Sequence, residues 1–266
     1  MNINLYDSNS HIRRLIEGDA SGLPLRTLLT QVNNSASVEV FVWDGAGGNE
    51  RRRKLFPGYK ANRTPPAEDI FATMNLFKQV LRHTKAIQIT VPTYEGDDVL
   101  AYMAQAYASR ATISIRSSDR DLLALCTLPG VRLVDVPAPK VPPELIRLYK
   151  ATRGDPSDGI PGIKGFGEVA WERCDKEALL NWYEGTTISD SGFDIVTHGA
   201  VDKIANYHFG IPMCCASWLK ENSQLARTFY HIVGFMPPTD AEVAAGTIVG
   251  KRDDAATANI MGRFML

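Results

Sequence analysis

Short apolar runs separated by longer stretches of helical period organise the first half of this chain. Asn2–Tyr6, Val38–Trp43, Ile87–Val91, Ala111–Ile115 and Val131–Val136 read as buried strands. His11–Thr30 is helix-like with a break at Gly22–Pro24, Glu68–Arg82 has helical periodicity, and Glu95–Ser109 predicts a helix with acids in its first turn. Strands alternating with helices predict an α/β fold, a central mostly parallel sheet flanked by helices. After Pro142 and Pro143 the pattern becomes helical, with helices predicted over Glu144–Thr152 and Ser217–Phe235. A Gly-rich turn follows the first of these, and polar Glu184–Gly199 reads as a loop or hairpin. The expected organisation is an α/β core over 1–141, a helical region over 142–236 and an unassigned tail over 237–266.

Acids punctuate this pattern. Nine carboxylates fall in five short clusters: Asp7; Asp44; Glu95, Asp97 and Asp98; Asp119 and Asp121; Asp155 and Asp158. Most directly follow a strand-like run or open a helix-like one. Open α/β sheets place their sites at the carboxyl ends of strands. Acids also favour helix N-termini and solvated loops, which is the plainer reading of any one of them. Nine in one crevice would repel by several kcal/mol unless cations neutralised them. If they converge, all-oxygen ligands point to Mg²⁺ or Mn²⁺ rather than zinc.

Composition narrows the class. With 266 residues, 44% hydrophobic content and a mean hydropathy of −0.15, the chain has the make-up of a soluble globular protein with an ample core. No apolar run reaches the ~18 residues of a membrane span, and the N-terminus lacks a basic region followed by an apolar core, so no secretory signal is expected. Cys126, Cys174, Cys214 and Cys215 show no metal-binding spacing, and adjacent Cys214 and Cys215 are poor disulfide partners. A reducing, cytoplasmic setting is expected. The five histidines (His11, His83, His198, His208 and His231) form no metal or triad pattern. A net charge of −1 argues against indiscriminate coating of nucleic acid, so the location of the basic residues matters more than their number.

They concentrate between Gly45 and Arg63. Arg51, Arg52, Arg53, Lys54, Lys60 and Arg63 interleave with Phe56 and Tyr59, as in a segment that tracks a phosphate backbone, although a solvated basic face explains the same composition. Gly154–Gly167 is the most specific stretch. Gly162, Gly165 and Gly167 permit a tight turn against which a phosphate can rest, with Lys164 adding charge and Asp155 and Asp158 just before it. A simple helix–turn–helix joint would also need glycines.

Taken together, Asp7, Asp44, Tyr59–Arg63, Glu95–Asp98, Ser118–Leu122 and Gly154–Gly167 resemble, in order and spacing across about residues 1–170, the 5′-nuclease superfamily of flap endonucleases and DNA polymerase I 5′ nuclease domains. The similarity is nearest to the stand-alone 5′→3′ exonucleases of short-tailed bacteriophages and fades beyond about residue 175. Departures are minor: the first strand ends YDSN where the family often has DG, and Arg120 stands where Lys is commoner.

The resemblance implies metal-dependent hydrolysis of phosphodiester bonds near DNA 5′ ends, leaving 5′ phosphates, in replication, primer removal or genome degradation. It implies two or more Mg²⁺ ions, with Mn²⁺ able to substitute. Asp7, Asp44, Glu95, Asp97 and Asp119 would surround the first ion. Asp121, Asp155 and Asp158 would hold the second, with Asp98 in support and Asp119 shared. Lys60 and Arg63 would reach the scissile phosphate. Arg51, Arg52, Arg53, Lys54 and Tyr59 would line an arch-like segment at about 45–85. Gly162, Lys164, Gly165 and Gly167, in a helix-hairpin-helix-like region, would clamp duplex, where relatives also bind K⁺ through carbonyls. The partners implied are duplex or flapped DNA with a 5′ end, or an RNA/DNA hybrid, for a monomeric protein away from membranes. Three other readings stand beside this one: a PIN-type RNA nuclease, which lacks the Gly154–Gly167 element; an inactive DNA-structure binder, which would have lost metal ligands; and an acidic metal-storage protein, which does not explain the basic segment.

Overall fold

The computed structural model describes residues 1–16, 25–64, 68–134, 136–137, 140–188, 195–197 and 209–264. Gly22–Pro24, Pro65, Pro66, His198 and His208 lie outside them. The strands are β1 (Asn2–Asp7), β2 (Val38–Trp43), β3 (Ile87–Thr90), β4 (Thr112–Arg116), β5 (Val131–Val134), β6 (Thr186–Ile188), β7 (Ile195–Thr197) and β8 (Thr247–Val249). The helices are α1 (Ser8–Ile16), α2 (Leu25–Asn34), α3 (Glu50–Leu55), α4 (Glu68–Leu81), α5 (Gly96–Tyr107), α6 (Ile146–Arg153), α7 (Glu168–Arg173), α8 (Lys176–Glu184), α9 (Met213–Glu221), α10 (Ser223–Ile232), α11 (Asp240–Ala245) and α12 (Asp254–Phe264). Among the described residues no helix is long and apolar enough to cross a membrane.

The chain divides into two compact units. The first comprises Met1–Gly48, Thr64–Pro143 and Met236–Leu266; the second comprises Asn49–Arg63 and Glu144–Phe235.

In the first unit a six-stranded sheet runs in the order β5-β4-β1-β2-β3-β8, parallel except for β8, which pairs antiparallel with β3. Its register puts Leu5 beside Val40 and Ile115, and Tyr6 beside Phe41 and Arg116. Alternation therefore gives the sheet two unlike faces. The aliphatic face is buried against α5, whose Val99, Leu100 and Ala104 are fully covered. The other face is aromatic. Tyr6 stacks on Phe41 with ring centroids 4.3 Å apart, and Trp43, Ile12, Leu28, Phe77 and Leu81 complete that cluster. Burial on both faces is why these strands read as near-continuous apolar runs.

Among its described residues the second unit is helical apart from β6 and β7, whose antiparallel pairing fits the hairpin alternative for Glu184–Gly199; residues 189–194, 198 and 199 of that stretch lie outside the described residues. Tyr59, Ile160, Phe229 and Ile232 form its core with Leu55, Phe56 and Trp218 packed around them. The single helix expected over Ser217–Phe235 is two, α9 and α10. Asn222 leaves the helical path at φ −124° and its side chain bonds back to the Trp218 carbonyl, a competition with the backbone ladder that favours a break.

Two segments differ from the sequence expectation. The basic stretch from Asn49 belongs with the helical unit rather than with the α/β core. The tail left unassigned folds into the first unit: β8 covers the β3 edge, and α11 is fixed by Tyr102–Asp240 and Tyr94–Glu242 hydrogen bonds of 2.7 and 3.1 Å. Thr239 opens α11 with a capping box to Glu242, a local signal the tail did carry.

Candidate active site

Four successive parallel strands each deliver acid at the carboxyl end. Asp7 is the last residue of β1, and Asp44 follows β2. Glu95 and Asp97 lie at the start of α5 after β3, and Asp119 and Asp121 lie at the turn after β4. Two of these acids, Asp7 and Asp119, also cap the element that follows them. Asp7 Oδ1 accepts the Ser10 amide at 3.0 Å as α1 begins, and the Asp119 side chain accepts the Asp121 amide at 2.9 Å. Asp44 Oδ1 accepts the Gly96 amide at 2.7 Å, so the first turn of α5 and the loop after β2 are joined. That close approach depends on Gly45, where a Cβ would sit 1.9 Å from the Val91 carbonyl oxygen.

Small polar residues link the acids. Ser117 Oγ donates to Asp7 Oδ2 at 2.6 Å and accepts the Asp119 amide at 3.0 Å, while the Ser10 and Ser118 hydroxyls are 2.8 Å apart. Asn9 Oδ1 accepts the Asp44 amide at 3.1 Å. Asn9, Ser10 and Ser117 were missed as site residues in the sequence. Their only signal was position, within three residues of a strand-end acid.

The electrostatics agree with the geometry. The Asp7 carboxyl is pushed up from 3.8 to about 6, first by burial and further by the charges of Asp44 and Asp119, against the opposing bonds from Ser117 and Ser10. Asp7, Asp44 and Asp119 therefore share one field. Asp44 is exposed, and Asp97, Asp119 and Asp121 are partly exposed, so the acids border an accessible surface.

Among the described residues, no group of three or more His, Cys, Asp or Glu side chains is placed so that it could hold a metal ion. The residues nonetheless fit a hard divalent cation: the donors are all carboxylate oxygens, and their mutual repulsion is what a cation would relieve. Asp98 stands apart. It is 1% exposed, its Oδ1 accepts the Met236 amide at 2.8 Å and its Oδ2 faces the Glu95 amide at 3.4 Å. Its burial and its two backbone partners make it a support of the fold.

The second unit holds a different constellation. Lys150 Nζ lies 2.6 Å from Asp155, and Arg63 lies 2.6 Å from Asp158. Burial alone would raise the Asp155 carboxyl, but the Lys150 charge and the Ser157 donors bring it below its ordinary value. Asp158 is raised, chiefly by burial and also by Asp155, against the charges of Lys60, Arg63 and Lys150. Lys150 carried no signal of its own, being one more base in a helix. Lys60 adopts φ 51°, unusual for a lysine, with its amide bonded to the Asp158 carbonyl at 2.8 Å and its ammonium 4.9 Å from the Tyr59 ring centre.

Three residues expected at a nucleic-acid surface are taken up by packing, and Lys60, expected there as well, is 8% exposed. Arg52 is 4% exposed and donates to the Ile232 and Gly234 carbonyls at 2.9 Å each. Tyr59 is in the hydrophobic core of its unit. Gly162 is buried, with φ +69° and a virtual Cβ 2.3 Å from the Gly154 nitrogen, so it serves the turn rather than a ligand. Arg53, Lys54, Arg63, Lys164, Gly165 and Gly167 are exposed, and Arg51 is partly so.

Comparison with known proteins points one way. The family described as "5'-3' exonuclease, N-terminal resolvase-like domain" matches residues 22–153. A 5'-3' exonuclease of Bacillus subtilis (strain 168) is 28% identical over 215 residues, 72% of this chain and 72% of its own length. The thermostable DNA polymerase I of Thermus thermophilus is 33% identical over 163 residues, which are 57% of this chain but only 20% of the polymerase. The chain thus spans about a fifth of that larger relative. The bacteriophage T5 D15 flap endonuclease, solved as a pseudo-enzyme-product complex with DNA and metal ions, superposes with a TM-score of 0.61 at 16% identity, covering 98% of each chain. At that identity the likeness is one of fold.

Proposed function

Because the chain belongs to the 5′-nuclease superfamily, we propose that it is a metal-dependent 5′→3′ exodeoxyribonuclease and flap endonuclease that hydrolyses phosphodiester bonds near DNA 5′ ends and leaves 5′ phosphates. The observation that carries this reading is the row of acids at the carboxyl ends of β1, β2, β3 and β4, with Asp7, Asp44 and Asp119 electrostatically coupled. Two features of the relatives support it: the T5 enzyme was solved with DNA and metal ions, and the B. subtilis relative is a 5'-3' exonuclease.

Asp7, Asp44, Glu95, Asp97, Asp119 and Asp121 are the residues of the first unit that would hold Mg²⁺, or Mn²⁺ in its place. Such ions supply Lewis-acid chemistry, easing deprotonation of the attacking water and offsetting charge on the leaving oxygen. The chain's own contribution is orientation. Ser117 and the Ser10 amide fix both oxygens of Asp7, and the Gly96 amide fixes one oxygen of Asp44. In the second unit Asp155 and Asp158 are proposed as further carboxylates required for turnover, and Lys60 and Arg63 as the cations that act on the scissile phosphate. Exposed Lys164, Gly165 and Gly167 are proposed to meet the duplex backbone, with K⁺ as an accessory ion of that turn.

The test is a gel assay of 5′-labelled and 3′-labelled flap, nicked and blunt duplexes, with Mg²⁺ and with EDTA. Cleavage from the 5′ end that requires Mg²⁺ and is lost in Asp119→Ala and Asp155→Ala, with DNA binding retained, is the expected result. Cleavage in EDTA, or attack from the 3′ end, overturns the reading.

A further inference from the structure

Gly165 and Gly167 border a groove of about 550 Å³, lined beyond them by Val169 and Arg173 of α7 and by the loop from Gly210 to Pro212. That loop is built to lie close. Gly210 turns at φ +65°, and a Cβ there would sit 2.9 Å from the Arg173 carbonyl oxygen, so the loop closes tightly on the end of α7. The Asp175 amide donates to the Phe209 carbonyl at 2.7 Å, and Phe209 is 2% exposed, which anchors the loop from the other side. The lining is chemically uneven. Val169, Ile211 and Pro212 are apolar, and Val169 is 59% exposed. Two charged side chains belong to the groove, Glu168 and Arg173. Glu168 is committed to its own neighbours, accepting from Arg153 at 2.7 Å and from the Tyr149 hydroxyl at 3.2 Å. Arg173 is exposed and, among the described residues, makes no side-chain hydrogen bond or ion pair. Gly167 meets nothing within 4 Å where a Cβ would stand, so that side of the groove is open to a close approach.

We infer that this groove is a second backbone subsite for duplex DNA, in which Arg173 takes a phosphate and Val169, Ile211 and Pro212 pack against the adjoining deoxyribose. The inference rests on the proposed contact of Gly165 and Gly167 with the duplex: they line the same groove, so a strand lying on the turn continues into it. A sugar-phosphate strand alternates an anion with a largely apolar sugar edge, which is the composition the groove complements. A guanidinium offers phosphate two parallel donors as well as charge.

The experiment is a fluorescence-anisotropy titration of a 5′-flapped duplex in EDTA, at salt from about 50 to about 200 mM, with Tm measured to confirm that each variant is folded. Arg173→Ala should lower the salt slope by about 0.9, so that its affinity deficit against wild type shrinks about three- to fourfold across that range. Arg173→Lys, which keeps the charge, should keep the slope, and Val169→Lys should raise it by about 0.9. Unchanged slopes in folded Arg173→Ala and Val169→Lys would overturn the inference. An equal loss in Lys220→Ala, which removes a cation from the last turn of α9, would assign the effect to net charge and overturn it too. In either case a lowered slope in Lys164→Ala would leave the turn standing as a duplex contact. If Lys164→Ala also binds with the wild-type slope, it is the reading of the turn that fails, and the role of the groove with it.

Discussion

Replacing Asp7 by Asn in the metal-free protein removes the titrating group whose environment is best defined. The folded carboxyl titrates near 6 rather than 3.8, with burial as the main cause and Asp44 and Asp119 adding to it. Between these two values the folded protein holds a proton that the unfolded chain has released. Stability therefore falls as pH rises: the contribution is fully present below about 3.8 and is lost by the time pH passes about 6. The interval is worth about 3 kcal/mol at 1.36 kcal/mol per pH unit. Urea unfolding in EDTA, measured from pH 4 to pH 7, should show wild type losing about 2.4 kcal/mol more than Asp7→Asn, since part of the effect lies below pH 4. Saturating Mg²⁺ should reduce the wild-type loss, because a cation that binds only the ionised folded state stabilises it at the higher pH. Parallel wild-type and Asp7→Asn profiles in EDTA would refute the reasoning. They would mean that Asp7 ionises without cost and that the strand-end acids do not share a field.

Other outcomes follow from the geometry. Asp98→Ala should lose roughly 2–4 kcal/mol in denaturant melts of the metal-free protein, since the buried Met236 and Glu95 amides lose their acceptor; relief of acid repulsion predicts the opposite sign, and a gain in stability would favour it. Gly162→Ala should cost at least about 2 kcal/mol, because a left-handed φ and the Gly154 nitrogen both exclude a Cβ; an unchanged melting curve would show that the turn can be rebuilt. Lys164→Ala should weaken duplex binding and reduce the salt slope by roughly 0.9, with a near-normal single-turnover rate at saturation. Lys60→Ala should do the reverse, cutting the saturated rate while affinity holds, because charge beside the reacting phosphate acts on the transition state; a normal rate with weaker affinity would make the basic segment a binding surface only.

Periodicity and punctuation in the chain were sufficient for the α/β core. Buried parallel strands must be apolar on both faces, and an acid comes next in sequence after each, so β1 with Asp7, which caps α1, and β2 with Asp44 are legible without any partner in view. Gly162 and Gly165 were legible for a similar reason, since a left-handed φ admits little else, whereas Gly167 at φ −92° needs no such freedom. What sequence could not decide is who faces whom across long separations. Arg52 looks like its basic neighbours, yet it is buried because carbonyls about 180 residues away accept its guanidinium. Asp98 looks like Asp97, but the amide of Met236, 138 residues on, makes it a cap. Ser117 becomes part of the site only when β4 pairs beside β1 and sets its hydroxyl on Asp7. Local sequence encodes backbone geometry and solvent preference over a few residues. Hydrogen-bond partners and the charges that shift a carboxylate are properties of packing, and they exist only once the strands have been laid side by side.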